Sequence, residues 1–259
     1  MKRREILAAA AAAPLAAGQT PSPRKPATLE LRWYELRNSA DNQRQRTADY
    51  LLKIVNPALK RVGAEPAGLF SPVFGSHGPA LIHLISYPSI QAFGDAAVKL
   101  RDDADYRRAF NEFYSQPGLP FQRVSIRLMR AFDGFPQIEF PPQDPSKPPR
   151  VFELRTYESN TPLTLEKKIG MFENGEIAIF RANALTPVFF GRTVAGDLMP
   201  NLTYMLAFDS MPAREAAWKA FGADPSWQKL RATPGLSDAE IVSNITSLIL
   251  SPVSGSLLR

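Results

Sequence analysis

The sequence predicts an α+β fold: two tandem ferredoxin-like βαββαβ modules whose bare sheet faces pack on one another. Three observations carry this. Segments of the first half recur, in order, in the second half at offsets of 118 to 121 residues. Residues 136–149, between the halves, hold six prolines in 14 positions, the composition of a stiff, extended connector. Each half also shows the same succession of strand-like and helix-like periodicity.

The recurrences are Tyr34-Glu35-Leu36-Arg37 with Phe152-Glu153-Leu154-Arg155, residues 83–90 with 204–211, and Asp103-Ala104-Asp105-Tyr106 with Asp224-Pro225-Ser226-Trp227. Each module opens on an alternating strand, at 29–37 and 151–157. A helix follows, at 41–62 and 163–182. In the first copy Ala48, Leu51, Leu52, Val55, Leu59 and Val62 recur at helical spacing. Asn56-Pro57 is expected to kink or split that helix, because proline lacks the N–H and disfavours a helical residue before it. Gly63 and Asn183 stand where a left-handed C-cap is wanted. Second strands fall at 68–75 and 186–194, third strands at 80–87 and 202–208. Ser89 and Ser210 then offer N-caps for a second helix. A short helical piece follows at 106–113 and 227–230, and closing strands at 123–132 and 241–250.

Residues 1–18 begin with Lys2, Arg3 and Arg4 and continue into an alanine-rich stretch ending at Gly18. A basic start, a short apolar run and small residues before a cut read as a signal peptide, and the paired arginines resemble the twin-arginine type. The run is too short to span a bilayer, which takes roughly 20 apolar residues. The expected organisation is a signal peptide at 1–18, a flexible segment at 19–28, a first module at 29–132, a Pro-rich linker at 133–149 and a second module at 150–252. The expected location is periplasmic or secreted, with no stable membrane insertion.

There is no cysteine, which excludes disulfides, thiolate metal sites and cysteine nucleophiles. The two histidines, His77 and His83, are too few for a histidine-rich metal site, and no metal is expected. Without the leader the net charge is about +4, and no cluster of lysine and arginine interleaves with aromatics, so a nucleic-acid partner is not expected. The chain is expected to act as a monomeric pseudo-dimer, with further oligomerisation open.

Side chains alternate between the two faces of a strand. Tyr34 and Leu36, with Phe152 and Leu154, are expected to pack on the helices, as are the smaller Leu84, Met205 and Ala207. The bare face then carries Glu35, Arg37, His83, Ile85, Tyr87, Glu153, Arg155, Tyr204, Leu206 and Phe208. Packed face to face, these residues enclose a mixed polar and aromatic lumen suited to a small molecule. Glu35, Arg37, Glu153, Arg155 and Tyr204 are the candidate ligand-binding residues. The Glu–Arg pairs read either as structural ion pairs or as an anion site. His83 and Tyr87 are the candidate catalytic residues. His83 reads as a core residue, a general base or an axial haem ligand, though no cofactor is the primary expectation. Trp218, Trp227 and Tyr106 read as packing.

Glu-Leu-Arg-Thr-Tyr at 153–157, the His83-Leu84 pair with Tyr87 four residues after His83, and Asp-Pro-Ser-Trp at 224–227 resemble motifs of the NIPSNAP family. The resemblance covers most of residues 29–250 as two such domains. It implies a dimeric α+β barrel formed within one chain. Relatives in that superfamily include cofactor-independent monooxygenases, haem-degrading enzymes and chlorite dismutases. The family has no settled enzymatic activity to carry over, and its mitochondrial members are linked to interaction and signalling. Two departures stand out: copy two has Tyr204 in place of the histidine, and copy one lacks the Asp-Pro-x-Trp motif. Three readings follow: a binding protein with a small molecule in the barrel lumen, a cofactor-independent monooxygenase or isomerase using His83 or Tyr87 beside Arg37 or Arg155, and a protein-interaction module without catalysis.

Overall fold

The computed structural model describes residues 24–38, 41–74 and 78–259. The expected leader at 1–18 and residues 19–23 of the 19–28 segment lie outside the described residues, as does His77. The first copy runs β1 (Thr28–Glu35), α1 (Gln43–Tyr50), a π-helical turn (Leu51–Val55), α2 (Asn56–Arg61), β2 (Glu65–Phe74), β3 (Ala80–Tyr87), α3 (Ile90–Asp102), α4 (Ala104–Tyr114) and β4 (Arg123–Ala131). The second runs β5 (Val151–Glu158), α5 (Pro162–Met171), a π-helical turn (Phe172–Glu176), α6 (Ile177–Ala182), β6 (Thr186–Ala195), β7 (Asn201–Phe208), α7 (Met211–Ala223), α8 (Pro225–Arg231), α9 (Asp238–Ile241) and β8 (Asn244–Pro252). Both follow the βαββαβ order. β2 pairs with β8 and β4 with β6, so the two sheets close one antiparallel barrel in the order β1-β3-β2-β8-β5-β7-β6-β4. The chain thus builds a dimeric α+β barrel within itself. No helix among the described residues is long and apolar enough to cross a membrane.

Local chemistry explains the helix starts. Ser89 and Ser210 accept hydrogen bonds from the backbone N–H of Ala92 and Ala213, and Asp103 and Asp224 do the same for α4 and α8. The long first helix of each copy is interrupted. In the first copy Pro57, which has no N–H to donate, lies in the first turn of α2 just past the π-helical turn. In the second copy, where no proline stands at that turn, the helix kinks at Asn174 and Gly175, whose backbone angles are not helical. Gly63 adopts the expected left-handed conformation, φ +86°. Asn183 does not; φ is −108°, and Ala184 takes the left-handed position at φ +58°. Asn183 instead uses its side-chain amide to cap Ile179 O and to reach Asp224.

The face assignment needs correction. Phe152, Leu154, Leu84, Met205 and Ala207, expected against the helices, fill the barrel interior with Leu29, Leu31, Phe70 and Leu250. His83's strand neighbours Ile85 and Tyr87, and Tyr204, Leu206 and Phe208, were expected in the lumen but pack in the helix layers. Glu153 and Arg155 do so too, since Glu153 bonds to α7 side chains. Tyr34 and Leu36 do face the helices. The cause is register. Arg32 lies opposite His83, and Arg155 opposite Tyr204. Glu30-Leu31-Arg32-Trp33-Tyr34 is therefore the counterpart of Glu153-Leu154-Arg155-Thr156-Tyr157, at an offset of 123. An offset of 118 is five residues out, and an odd slip exchanges the two faces of a strand.

The interior is a packed core between the copies: the Phe70 and Phe152 rings meet edge to face at 5.0 Å. Phe152→Ala is expected to lower the unfolding free energy by about 3–5 kcal/mol in urea titration. A loss below about 1 kcal/mol would place that ring outside the shared core.

Candidate functional site

The site is built by β1 and β3 of the first copy under α3 and α4. On the helix-facing side of β1 lie Glu30, Arg32 and Tyr34. Glu30 is fully buried and accepts from Arg32 Nε at 2.6 Å and from Tyr87 Oη at 2.8 Å. Arg32 also reaches Tyr34 Oη at 3.4 Å. Arg32 keeps about a quarter of its side chain accessible. It forms the floor of a pocket of about 470 Å³ walled by Phe93, Tyr106, Phe110 and Leu100, with Arg101 and Arg107 at the rim. Every charged residue lining this pocket is cationic.

The second copy closes the same place. Both α3 and α7 start from a serine cap, at 89 and 210, so Ala97 corresponds to Trp218 and Phe93 to Arg214. Trp218 Nε1 donates to Glu153 at 2.7 Å, and Arg214 donates twice, at 2.8 and 2.7 Å. Ser247 and Arg155 complete the shell at 2.7 and 2.9 Å. The Arg155 guanidinium lies 4.8 Å from the Trp218 ring centroid. Burial pushes the Glu153 carboxyl up, but the Arg214 hydrogen bonds, the Arg155 charge, Ser247 and Trp218 outweigh it and hold the pKa at about 2. Two differences, Ala97 against Trp218 and Phe93 against Arg214, thus separate an open pocket from a sealed ion-pair network.

The remaining sequence-predicted residues fall in several places. Glu35 is at the barrel end, paired with Arg123 at 3.1 Å. Arg37 is in the loop after β1, 4.0 Å from Asp41, and joins neither site. Glu153 and Arg155 form the sealed network just described. Tyr204 is fully buried and hydrogen-bonded to Tyr157 Oη at 3.2 Å; burial pushes its phenol pKa well up. Tyr87 lines the pocket, and burial together with Glu30 raises its pKa, so its proton stays on the phenol and is shared with Glu30. His83 is fully buried, and neither ring nitrogen has a hydrogen-bond partner. Burial, then the charge of neighbouring Arg32, lowers its pKa to about 3, so the ring is neutral. It does not line the pocket, so axial ligation of haem by His83 does not fit this arrangement. Sequence reasoning missed Glu30, Arg32 and Ala97. The Glu-Leu-Arg-x-Tyr identity between 30–34 and 153–157 was the signal for the first two; Ala97 carries no sequence signal.

The sequence pattern of the NIPSNAP family matches residues 152–257. The second copy therefore carries the NIPSNAP sequence pattern. A candidate monooxygenase from Lactobacillus acidophilus is similar in structure over 91% of this chain and 100% of its own, at 13% identity and a TM-score of 0.57. An anthrone oxidase-like protein is similar over 92% of this chain and 96% of its own, at 14% identity and a TM-score of 0.56. At these identities the likeness is one of fold, and both relatives span the whole tandem barrel. A NIPSNAP family protein of unknown function from Agrobacterium tumefaciens aligns with 43% of this chain and 95% of its own, at 19% identity and a TM-score of 0.39. No curated protein matches the chain. The pocket lies in the first copy, outside the residues that match the NIPSNAP pattern.

The lowered pKa of His83 has a signed consequence. The unfolded chain binds a proton near the ordinary histidine value of 6.5, whereas the folded chain resists it down to about 3. Stability is therefore full above pH 6.5 and falls as pH drops through that window. His83→Leu is expected to flatten the urea midpoint between pH 6.5 and pH 4; an unchanged slope would contradict the burial of a neutral ring.

Proposed function

We propose that this protein is an exported binding protein for a small, mainly apolar compound with an acidic group, held between the helices and sheet of the first copy. The observation that carries the reading is Ala97, which leaves open the space that Trp218 fills in the second copy. The pocket has aromatic walls for the body of the ligand and Arg32, Arg101 and Arg107 for its charge. This places the ligand in the helix layer, while most of the lumen expected from the sequence is occupied by core side chains.

The probe for this reading is 1-anilinonaphthalene-8-sulfonate, an aromatic anion, followed by fluorescence. Ala97→Trp is expected to remove binding at this pocket while the circular dichroism and melting temperature stay close to wild type, because the second copy already accommodates tryptophan at this position. Undiminished probe binding in a folded Ala97→Trp protein would refute the assignment.

A cofactor-independent monooxygenase or isomerase is the second reading. The feature favouring it is Tyr87, which lines the pocket beside Arg32 and donates its phenol proton to Glu30 at 2.8 Å. His83 is enclosed behind the pocket and does not reach a ligand there, so the Tyr87–Glu30 pair would be the proton handler for a ligand whose anion rests on Arg32. Turnover lost in Tyr87→Phe with binding retained supports this reading; no turnover of any bound compound by wild type leaves binding as the function.

The leader supports the export part of the proposal. Replacing Arg3 and Arg4 with lysine is expected to keep the protein in the cytoplasm at precursor mass, as read by cell fractionation and mass spectrometry. Unchanged export would remove the twin-arginine route.

A further inference from the structure

One end of the barrel holds a second cavity, of about 560 Å³, formed where β1, β4, β5 and β8 meet the loop between β6 and β7. Arg127 reaches into it from β4 with only 5% of its side chain exposed. Nη1 donates to Thr156 Oγ1 at 2.8 Å and to Thr203 Oγ1 at 3.0 Å, which fixes the guanidinium plane from the opposite copy. Its counter-charge comes from Asp197, on the loop, whose side chain is 69% exposed. Nε and Nη2 both donate to the same oxygen, Asp197 Oδ1, at 3.1 and 2.7 Å. A guanidinium fork is best matched by two carboxylate oxygens, one for each edge nitrogen. Asp197 supplies one.

The surroundings are one-sided. By register, Arg127 corresponds to Leu248 in the second copy, and Trp33 to Thr156. The barrel therefore does not need a cation or an indole here. The Trp33 ring centroid is 5.3 Å from the Arg127 guanidinium carbon, and Leu154 and Leu248 give the cavity an apolar floor. The loop is held in costly backbone: Leu198 has φ +57°, which a leucine rarely adopts, and a Cβ on Gly196 would lie 3.2 Å from Arg127 Cα.

We propose that this barrel end is a second binding site, for a small aromatic carboxylate, and that Asp197 is a tethered stand-in for the ligand's carboxylate. The incoming carboxylate takes Arg127 Nε and Nη2 with its two oxygens, its ring lies against Trp33 and the leucine floor, and Asp197 swings into solvent with its loop. No bond is made or broken. The site adjoins the first-copy pocket at Ile126 but shares no charged residue with it, and it stands without that pocket.

The test is a titration of the full mature protein with benzoate, with benzamide as the neutral control. The Gly196 amide resonance, which is local to this end, and calorimetry are the readouts. Benzoate is expected to move the Gly196 resonance and benzamide to leave it in place. Asp197→Asn, which removes the competing charge, is expected to tighten benzoate binding roughly tenfold. Arg127→Leu, which copies the second-copy residue, is expected to abolish it. A Gly196 resonance unmoved by benzoate in the wild-type protein overturns the proposal, whether or not the variants fold. Equal binding of benzamide, or benzoate binding no tighter in a folded Asp197→Asn protein, also overturns it.

Discussion

Closing eight strands into a barrel removes every sheet edge and gives a strand side chain two directions, into the lumen or outward, where helices cover much of the sheet. In this chain the lumen is filled by leucine, phenylalanine and methionine from both copies. That filling sets the parity of every strand. With Leu31 and Leu154 directed inward, their neighbours Glu30, Arg32, Glu153 and Arg155 must enter the helix layers. There a charged pair is buried and must find partners or be destabilising. What the helices supply over each pair decides what that half of the molecule does.

The two copies answer differently. Over Glu153 the helix α7 presents Arg214 and Trp218, and the carboxylate receives donors from four side chains. The result is a rigid, occupied layer. Over Glu30 the helix α3 presents Phe93 and Ala97, neither of which can donate. Arg32 and Tyr87 satisfy the carboxylate alone, and the space left by the missing indole opens to solvent as a cationic, aromatic pocket. Duplication has let one copy carry packing while the other keeps a cavity.

The order of elements was legible because it depends on local signals. Ser89 and Ser210 cap as their sequence context implies, and hydrophobic spacing marks the helices. The faces were not legible from alternation alone, because β3 and β7 are buried on both sides and mostly apolar along their length. Parity then depends on the alignment of the copies. The Tyr34-Glu35-Leu36-Arg37 match is five residues out of register, whereas Glu-Leu-Arg-x-Tyr at 30–34 and 153–157 is in register, and the odd slip puts Glu153 and Arg155 on the wrong face. Asn183 failed for a related reason: its type favours the left-handed conformation, but its amide is engaged with Asp224 and the next residue takes the turn. Ala97 was beyond sequence reading. An alanine on a helix has no chemistry of its own, and its meaning appears only opposite Trp218.

One copy is open where the other is closed. Diffraction from crystals pressurised with xenon reads this directly, since xenon enters apolar space by polarisability and needs no knowledge of the ligand. Anomalous density is expected between α3, α4 and the sheet, against Phe93 and Ala97, and none beside Trp218. Density flanking Trp218, or none in the first copy, would contradict this difference between the copies.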